Sequence, residues 1–256
     1  MTHTLARRSA LTLFGALAFA PAAARAATGK GGAMPPVTIY HLEGRRSERI
    51  VWLMEELGLP YRLEFKRGDL GASMAAIRAI NPIVPMAPTV QYGDQVLVES
   101  GAIIELILER HGGGRLQPAK DSADYPHHLM WMHYAEGSLA PRIFSDYRAW
   151  MAAPPTRRSP LVDSEASVQF AEEFLGKHPW FGGAEFSGAD IMMLFPLNVG
   201  GVLNIFDTAQ FPKVAAWKAK VEARPAYQRM VAKARPGVIP GNLPVLPKAP
   251  SWGPRK

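Results

Sequence analysis

Glu99 and Ser100 are adjacent polar residues at the predicted start of a helix, a position that suits an anionic ligand. The apolar pattern of residues 100–110 predicts this helix, with Ser100 as its N-cap and three glycines at 112–114 past its end. A helix N-terminus presents unpaired amides and about half a positive charge, so a ligand carboxylate fits there and the Ser100 hydroxyl can add a hydrogen bond. Taken alone, the pair is also explained by a capping serine beside a surface glutamate.

Thiol and metal chemistry are not expected from the side chains of this protein. The sequence contains no cysteine, which excludes a disulfide scaffold, a thiolate metal site and a cysteine nucleophile. His127, His128 and His133 fall in one predicted helix, but they lack good i, i+4 metal spacing and no neighbouring acid completes a site. We therefore expect no metal centre and interpret these histidines as solvated or packing residues.

The composition is that of a globular protein whose net charge comes from its two ends. The 256 residues are 48% hydrophobic and 20% charged, with a formal net charge of +7. Residues 1–33 carry four basic residues and no acid, and residues 231–256 carry five basic residues and no acid. The body between them has 20 basic and 22 acidic residues, so we do not expect it to bind nucleic acid.

The first 33 residues are predicted to be a leader and spacer. Arg7 and Arg8 form a twin-arginine-like pair, residues 10–20 form a short apolar stretch, and residues 24–26 (ARA) match a small-x-small cleavage site. The apolar stretch is too short to span a bilayer, so we expect export to the periplasm without stable membrane insertion after the leader is removed. If Met34 is the true start, the protein is instead cytoplasmic.

Residues 34–114 have the pattern of an α/β domain. Short β-rich segments and amphipathic segments follow one another in the order β-α-β-α-β-β-α. They are predicted at residues 37–40, 47–57, 61–65, 72–80, 88–92, 95–98 and 100–110. This order predicts a mixed sheet with a parallel βαβ pair and an antiparallel hairpin.

Residues 121–235 are predicted to be entirely helical. The helical segments lie at residues 125–150, 164–177, 191–197, 212–223 and 226–234. Pro141 is expected to bend the first of them. Residues 187–190 (SGAD) form a capping box before the run 191–197, which is apolar on all sides and is therefore predicted to be the central helix. The remaining residues, 236–256, form a Pro-rich tail that we expect to be irregular.

This arrangement and four motifs within it resemble the soluble glutathione S-transferases, and in particular a theta-like bacterial and fungal subgroup. The motifs are residues 50–61 (IVWLMEELGLPY), 99–103 (ESGAI), 134–141 (YAEGSLAP) and 187–190 (SGAD). The likeness covers residues 36–235. It implies a thioredoxin-like N-terminal domain that binds glutathione, a helical-bundle C-terminal domain that covers a pocket for a hydrophobic electrophile, and a homodimer.

The resemblance assigns roles to four residues. In the family a cis proline opens the hairpin, and the residue before it offers backbone groups to the cysteinyl part of glutathione. These positions are Pro88 and Ala87 in this sequence. Ser100 and its helix N-terminus would bind a carboxylate of glutathione, and Glu99 would accept from the α-ammonium group. The implied co-substrate is glutathione, with no metal.

The loop after the first strand, residues 41–49 (HLEGRRSER), departs from the family pattern. The family activates the thiol with a hydroxyl donor from this loop, and the subgroup's usual serine position is Arg45 in this sequence. Three outcomes stay open: Ser47 donates after a loop shift, Arg45 or Arg46 stabilises the thiolate by charge, or glutathione is bound with little turnover. Ser47 can equally be a plain N-cap, and Tyr40 is a further candidate donor unless it belongs to the core.

The segment before Pro88, residues 81–88 (NPIVPMAP), is the second departure. It lacks the glycine and the basic residue that are common in the family. A basic contact to the glycyl carboxylate is therefore expected to be missing, unless Arg46 or Arg49 supplies it.

The electrophile pocket is predicted on one face of the first bundle helix. Trp131, Tyr134 and Ser138 follow one another at i, i+3 and i+7 and would line it, although core packing produces the same spacing. The predicted function is glutathione transfer to an electrophile, with peroxide reduction as a related activity. The alternatives are a non-catalytic protein that binds glutathione or hydrophobic ligands, and a subunit-assembly module of the same fold.

Overall fold

A computed structural model describes residues 33–153, 163–235 and 246 of the chain. Almost all of the predicted leader at 1–33 and of the predicted tail at 236–256 lies outside these residues, so both remain predictions. The described residues from Ala33 onward belong to one compact unit. Within them, no helix combines the length and the apolar character that crossing a membrane requires.

Four strands form the mixed sheet that the sequence predicts. They are β1 (Val37–Tyr40), β2 (Arg62–Glu64), β3 (Thr89–Tyr92) and β4 (Gln95–Leu97). Their order is β2-β1-β3-β4, with β1 parallel to β2 and the other two neighbouring pairs antiparallel. Ile39 of β1 lies between Leu63 of β2 and Val90 of β3, and both Ile39 and Val90 are fully buried. The parallel βαβ pair and the antiparallel hairpin are therefore confirmed.

Three helices accompany the sheet: α1 (Glu48–Leu57), α2 (Leu70–Ile80) and α3 (Ser100–His111). As predicted, α1 ends at Gly58, whose left-handed backbone (φ 64°) lets its amide donate to the Met54 carbonyl. The prediction that Ser100 caps α3 is wrong, because Glu99 is the cap residue and Ser100 is the first helical residue. The Ser100 hydroxyl accepts a hydrogen bond from Arg49 instead.

The other described helices form an all-helical region: α4 (Tyr125–Tyr134), α5 (Ala140–Ala152), α6 (Ser164–Leu175), α7 (Gly188–Val202), α8 (Pro212–Glu222) and α9 (Pro225–Ala234). A π-helical turn, Ala135–Leu139, joins α4 to α5. The irregularity lies one turn before Pro141, because proline has no N–H to bond the carbonyl four residues earlier, that of Gly137. A short 3₁₀ turn, Thr208–Gln210, precedes α8.

The central helix of this region is α7, as its apolar sequence predicts. It contacts α1, α3, α4 and α5, and residues 191–193 are at most 1% exposed. The capping box is confirmed: the Ser187 amide donates to Asp190 Oδ2 at 2.9 Å, and Ser187 Oγ accepts from the Ala189 amide at 3.2 Å. Asp190 Oδ1 also accepts from Trp217 Nε1 at 2.7 Å, which ties α7 to α8.

The packing of α1 against α9 joins the sheet-bearing region to the end of the helical region. Three carboxylates of α1 pair with basic residues in or beside α9: Glu48 with Arg235, Glu55 with Arg229 and Lys233, and Glu56 with Arg224. Two hydrogen bonds, of 3.0 and 2.8 Å, join Arg235 to Glu48. Two of the five basic residues at the C-terminal end, Lys233 and Arg235, are therefore neutralised within the fold.

Candidate functional site

A cavity of about 440 Å³ lies where the loop after β1, the turn before β3 and the start of α3 meet the π turn. Each of these segments contributes to its wall. The lining residues are Leu42, Arg45, Arg46, Met86, Ala87, Pro88, Glu99, Ser100 and Glu136. The structure therefore brings together six of the residues predicted for glutathione binding or activation: Arg45, Arg46, Ala87, Pro88, Glu99 and Ser100.

The turn before β3 presents backbone groups to this cavity. The Ala87–Pro88 peptide bond is cis, Pro88 is buried and Ala87 is half-buried. Thr89 Oγ1 donates to the Met86 carbonyl at 2.6 Å, which holds the turn in place. Because the alanine side chain offers no polar group, the amide and carbonyl of Ala87 are what a peptide ligand can bond to.

The start of α3 presents one exposed and one buried polar side chain. Glu99 is exposed, and its φ of 70° lies in the left-handed region that residues other than glycine rarely adopt. Ser100 is 3% exposed, and its Oγ accepts from Arg49 Nη1 at 2.9 Å. Unusual backbone angles of this kind cluster at ligand-binding positions, so Glu99 is well placed to meet a ligand ammonium group.

The buried Arg49 and the half-buried Glu136, which lines the cavity, form a charged network at its wall. Glu136 Oε1 accepts from Arg49 Nη1 at 2.6 Å and from Arg46 Nε at 2.7 Å, and Arg49 Nη2 donates to the Met192 carbonyl of α7. Burial lowers the pKa of Arg49 to about 10, against the opposing effect of the Glu136 charge. Burial disfavours the Glu136 anion, but the two arginines outweigh it and hold the pKa of Glu136 below its usual value. Both groups are therefore charged at neutral pH, and they lock α1, α3 and the π turn together.

The structure places Ser47, which was predicted as a thiol-activating residue, away from the large cavity. Ser47 is fully buried and does not line the cavity. Its Oγ lies 2.8 Å from His41 Nδ1 and accepts from the Leu42 amide at 3.1 Å, and it makes no capping bond to α1. His41 Nε2 donates to the Ala234 carbonyl at 2.7 Å, so Nδ1 is the acceptor of the Ser47 hydroxyl. The hydroxyl therefore holds the loop in its conformation, and through His41 it also connects the loop to α9.

Both arginine candidates after β1, Arg45 and Arg46, line the cavity. The Arg45 side chain is half-buried, and its Nη1 donates to the Gly44 carbonyl at 3.3 Å. Arg45 also lines a second cavity, of about 50 Å³, to which Phe195 of α7 contributes. Tyr40 is half-buried on β1, on the face opposite Ile39, and lines neither cavity. Arg45 therefore lies between the large cavity and the side chain of Phe195.

Arg46 lies against two aromatic rings, those of Phe144 and Phe195. Its guanidinium carbon lies 5.4 Å from the ring centre of Phe144 and 4.7 Å from that of Phe195, and the guanidinium carbon of Arg49 lies 5.3 Å from the Phe195 ring. Both phenylalanines are half-buried, so part of each side chain is accessible, and Phe195 lines the smaller cavity. Of the two arginines considered for a ligand carboxylate, Arg46 lines the large cavity and Arg49 does not.

The three residues predicted to line an electrophile pocket lie elsewhere. Trp131 is fully buried, with its ring centre 4.7 Å from that of Phe181, and it belongs to the core. Tyr134 donates its hydroxyl to the Ser167 carbonyl at 3.2 Å. Ser138 lies in the π turn, whose extra residue rotates it by about 100° from the face predicted for a regular helix. None of the three lines either cavity described above.

Glu136 and the bonding of Arg49 are what the sequence analysis missed. The partners of Arg49 at Ser100, Glu136 and Met192 are 51, 87 and 143 residues away, so no local pattern relates them. The one signal in the sequence was the position of Glu136 inside the motif 134–141, just before a proline that interrupts a helix.

A second group of potential ligands lies apart from the cavity. Asp124, His127 and His178 each offer a metal-ligating atom, and these atoms lie within 4.8 Å of one another. The prediction of no metal centre compared His127 only with its neighbours in sequence. His178 follows α6 and reaches His127 through the fold.

Comparison with known proteins gives two family models that together match more than half of the chain. The model "Glutathione S-transferase, N-terminal domain" matches residues 39–115. The model "Glutathione S-transferase, C-terminal domain" matches residues 161–225. The first match begins within β1 and contains the other three strands and α1 to α3, and the second contains α6 to α8.

Similar proteins match more than three quarters of the chain. Glutathione S-transferase 3 of Schizosaccharomyces pombe is 26% identical over 79% of this chain and 90% of its own. Disulfide-bond oxidoreductase YfcG of Escherichia coli is 26% identical over 78% of this chain and 97% of its own.

Two solved structures are also similar. A glutathione S-transferase from Actinobacillus pleuropneumoniae is 28% identical with a TM-score of 0.64, covering 78% of this chain and 93% of its own. A theta class enzyme from Xanthomonas axonopodis pv. citri, with glutathione bound, is 26% identical with a TM-score of 0.57, covering 77% and 98%.

Proposed function

Because this chain belongs to the glutathione S-transferase family, we propose that its large cavity binds glutathione and that the bound thiolate attacks a hydrophobic electrophile. Membership of the family supports a glutathione-dependent transferase or oxidoreductase function in general. We propose three things beyond this: that the reaction is conjugation, which residue activates the thiol, and from which side the electrophile approaches.

The observation that carries the proposal is the composition of the cavity wall. It combines the backbone of Ala87, the N-terminus of α3 with Ser100, and the exposed carboxylate of Glu99. This set complements three groups of glutathione. The Ala87 backbone can bond to a peptide group, the α3 N-terminus to a carboxylate, and Glu99 to the ammonium group. A glutathione sulfur in this cavity also meets the loop that contains Arg45.

We propose that the charge of Arg45 stabilises the thiolate in place of a hydroxyl donor. An unperturbed thiol has a pKa of about 8.5, and lowering it by two units requires about 2.7 kcal/mol of preference for the anion. A positive charge about 4 Å from the sulfur contributes up to about 4 kcal/mol at an effective dielectric constant of 20. One guanidinium is therefore sufficient, and a serine at this position is not required.

The electrophile would approach from the side of Phe195 and Phe144. Arg45 lines both the large cavity and the smaller one beside Phe195, so a sulfur close to Arg45 faces that ring. Loss of one aromatic contact weakens binding by about 1 kcal/mol, or about fivefold. Phe195→Ala should raise KM for an aryl halide by about that factor while KM for glutathione changes less than twofold. An equal rise in both constants would contradict this placement.

The proposal is tested by measuring glutathione binding by calorimetry and conjugation of 1-chloro-2,4-dinitrobenzene by absorbance. Binding with turnover supports the transferase. Binding without turnover of this or any other electrophile supports the alternative of a non-catalytic glutathione-binding protein. No binding under any condition would overturn the proposal. The homodimer implied by the family is part of the proposal, and light scattering should give twice the mass of the chain.

A second candidate function is glutathione-dependent disulfide reduction. It is favoured by the similarity to Disulfide-bond oxidoreductase YfcG and by a chain without cysteine, in which bound glutathione is the only thiol. The bound thiolate would attack one sulfur of a disulfide, form a mixed disulfide with it and release the other as a thiolate. A second glutathione would then release oxidised glutathione and the second thiol. Turnover of a small disulfide faster than of the aryl halide would favour this function.

A further inference from the structure

We propose that Asp124, His127 and His178 form a binding site for a divalent transition-metal ion such as Zn²⁺. The site is formed by the residue before α4, the first turn of α4 and the segment after α6. Two imidazoles and a carboxylate are a ligand set that zinc accepts, with a fourth position left for water. No metal is expected from the spacing of the histidines in the sequence, but the fold brings His178 to Asp124 and His127 from a distant part of the chain.

The distances place the three ligands close to coordination geometry. Their ligating atoms lie within 4.8 Å of one another. Tetrahedral coordination at Zn–N distances of 2.0–2.1 Å separates neighbouring ligand atoms by about 3.4 Å. Side-chain movements of about 1 Å, which small rotations supply, therefore close the site around an ion.

The Asp124 carboxylate is held in place without using all of its oxygens. Its Oδ2 accepts from the Ala184 amide at 3.0 Å. The carboxylate also lies against the backbone of Gly183, where an added Cβ would be 2.3 Å from Asp124 Cγ, so only glycine allows this approach. A backbone donor that orients a carboxylate while its other oxygen stays available is the support that metal ligands need.

Both imidazoles are oriented by the ring of Phe174. His178 stacks on it with ring centres 4.3 Å apart and an interplanar angle of 19°, and His127 meets it edge-on at 5.1 Å. The two imidazole ring centres are 5.0 Å apart. Packing of this kind removes the rotational freedom that metal binding would otherwise have to remove.

The ring of His127 gives a second, independent observation at this site. Its Nδ1 is buried and has no hydrogen-bond partner among the described residues. Buried polar atoms without a partner are rare in folded proteins, and a ring nitrogen in this state is free to bind an ion. The neighbouring His128, by contrast, is satisfied, since its Nδ1 lies 3.0 Å from Ser187 Oγ.

The proposed ion would act on structure and not on the glutathione reaction. Nine residues separate His127 from Glu136 of the large cavity, or about 14 Å along the helix. The metal would instead join the start of α4 to the end of α6. We therefore expect binding to stabilise the fold and to leave glutathione conjugation unchanged.

The test is zinc binding by the full chain, purified without a polyhistidine tag and dialysed against a chelator. Calorimetry with Zn²⁺ alone should give one ion per chain. His127→Ala, His178→Ala and Asp124→Asn should each weaken binding at least about 100-fold, since even residues that only support a metal ligand cost 10–100-fold. In the unsubstituted chain, saturating Zn²⁺ should raise Tm by about 5 °C or more.

His133→Ala is the matched control. His133 is exposed on the same helix and pairs with Glu105 at 3.4 Å, so its loss should leave zinc binding intact. Asp124→Asn keeps an oxygen for the Ala184 amide and guards against a variant that merely fails to fold. Equal zinc affinity in all four variants, or no binding at 100-micromolar zinc (about 10⁻⁴ M), would overturn the proposal.

Discussion

The guanidinium of Arg45 and the hydroxyl of Ser47 lie two positions apart, yet only Arg45 faces the large cavity. Ser47 is fully occupied within the loop, where it accepts from the Leu42 amide and lies 2.8 Å from His41 Nδ1. The loop must turn from β1 into α1, and its buried backbone groups need partners during that turn. The serine supplies them, and the ligand-facing position is left to a charged residue.

Exchanging Arg45 for glutamine should raise the pKa of bound glutathione by one to two units, because the anion loses its nearest positive charge. The pH profile of kcat/KM and the ultraviolet absorbance of the bound thiolate measure this shift. Ser47→Ala is the control. It should lower the free energy of unfolding by about 1–3 kcal/mol, since buried partners lose a hydrogen bond, without moving that pKa. If Ser47→Ala raised the pKa of bound glutathione and the Arg45 variant did not, Ser47 would be the activating residue.

A pH dependence of stability should follow from His41. Burial lowers the pKa of His41 to about 4, so the unfolded chain binds this proton more readily than the folded chain. Stability from the neutral ring is present above pH 6.5 and is lost as the pH falls towards 4. Between pH 8 and pH 5 the loss is about 2 kcal/mol.

The variant His41→Gln measures this contribution, because glutamine can donate to Ala234 and accept from Ser47 but does not titrate. Urea unfolding of both proteins at several pH values gives the difference, in which the contributions of other titrating groups cancel. The variant should lose about 2 kcal/mol less than the unsubstituted protein on acidification. Parallel curves would show that His41 does not carry the effect.

The helices and strands could be predicted from the sequence wherever a local pattern determines them. The strand Val37–Tyr40, the left-handed end of α1 at Gly58 and the capping box at the start of α7 all rest on residues within one or two turns. The site could not be predicted to the same depth. Arg49 meets Glu136 only because α1 and the π turn are brought together by the whole fold. The π turn itself rotated Ser138 off the face that regular spacing predicts.

The pair of Glu48 and Arg235 should contribute strongly to holding α1 against the end of α9. The two side chains are 13% and 21% exposed and share two hydrogen bonds, so removing one leaves a mostly buried, unpaired charge. Arg235→Gln should lower the free energy of unfolding by about 3 kcal/mol. Lys120→Gln, which breaks a pair exposed by 65% and 59%, should have a much smaller effect because solvent screens the two charges. Urea titrations of both variants measure the contrast, and equal losses would contradict the argument.

The fold shows which of the basic residues near the C-terminal end are paired with acids and which regions keep an excess of positive charge. The body from residue 34 to 230 is nearly balanced, and at the C-terminal end Lys233 and Arg235 are already paired with acids of α1. The unbalanced positive charge is therefore concentrated in the leader and in residues 236–256. A basic segment followed by an apolar stretch is the pattern of an export signal, so the predicted leader would account for its own positive charge without nucleic-acid binding.

We propose that the leader directs export through its twin-arginine pair. Replacing Arg7 and Arg8 with lysine should abolish the appearance of the protein in the periplasm, because this pathway reads the guanidinium pair and not charge alone. Immunoblots of fractionated cells should show a shortened species outside the cytoplasm for the unsubstituted chain and only the full-length species inside for the variant. Because the cleavage pattern ends at residue 26, the amino-terminal sequence of the exported species should begin near residue 27. If that sequence begins at Met34 in both proteins and both stay in the cytoplasm, translation starts there and residues 1–33 are not a leader.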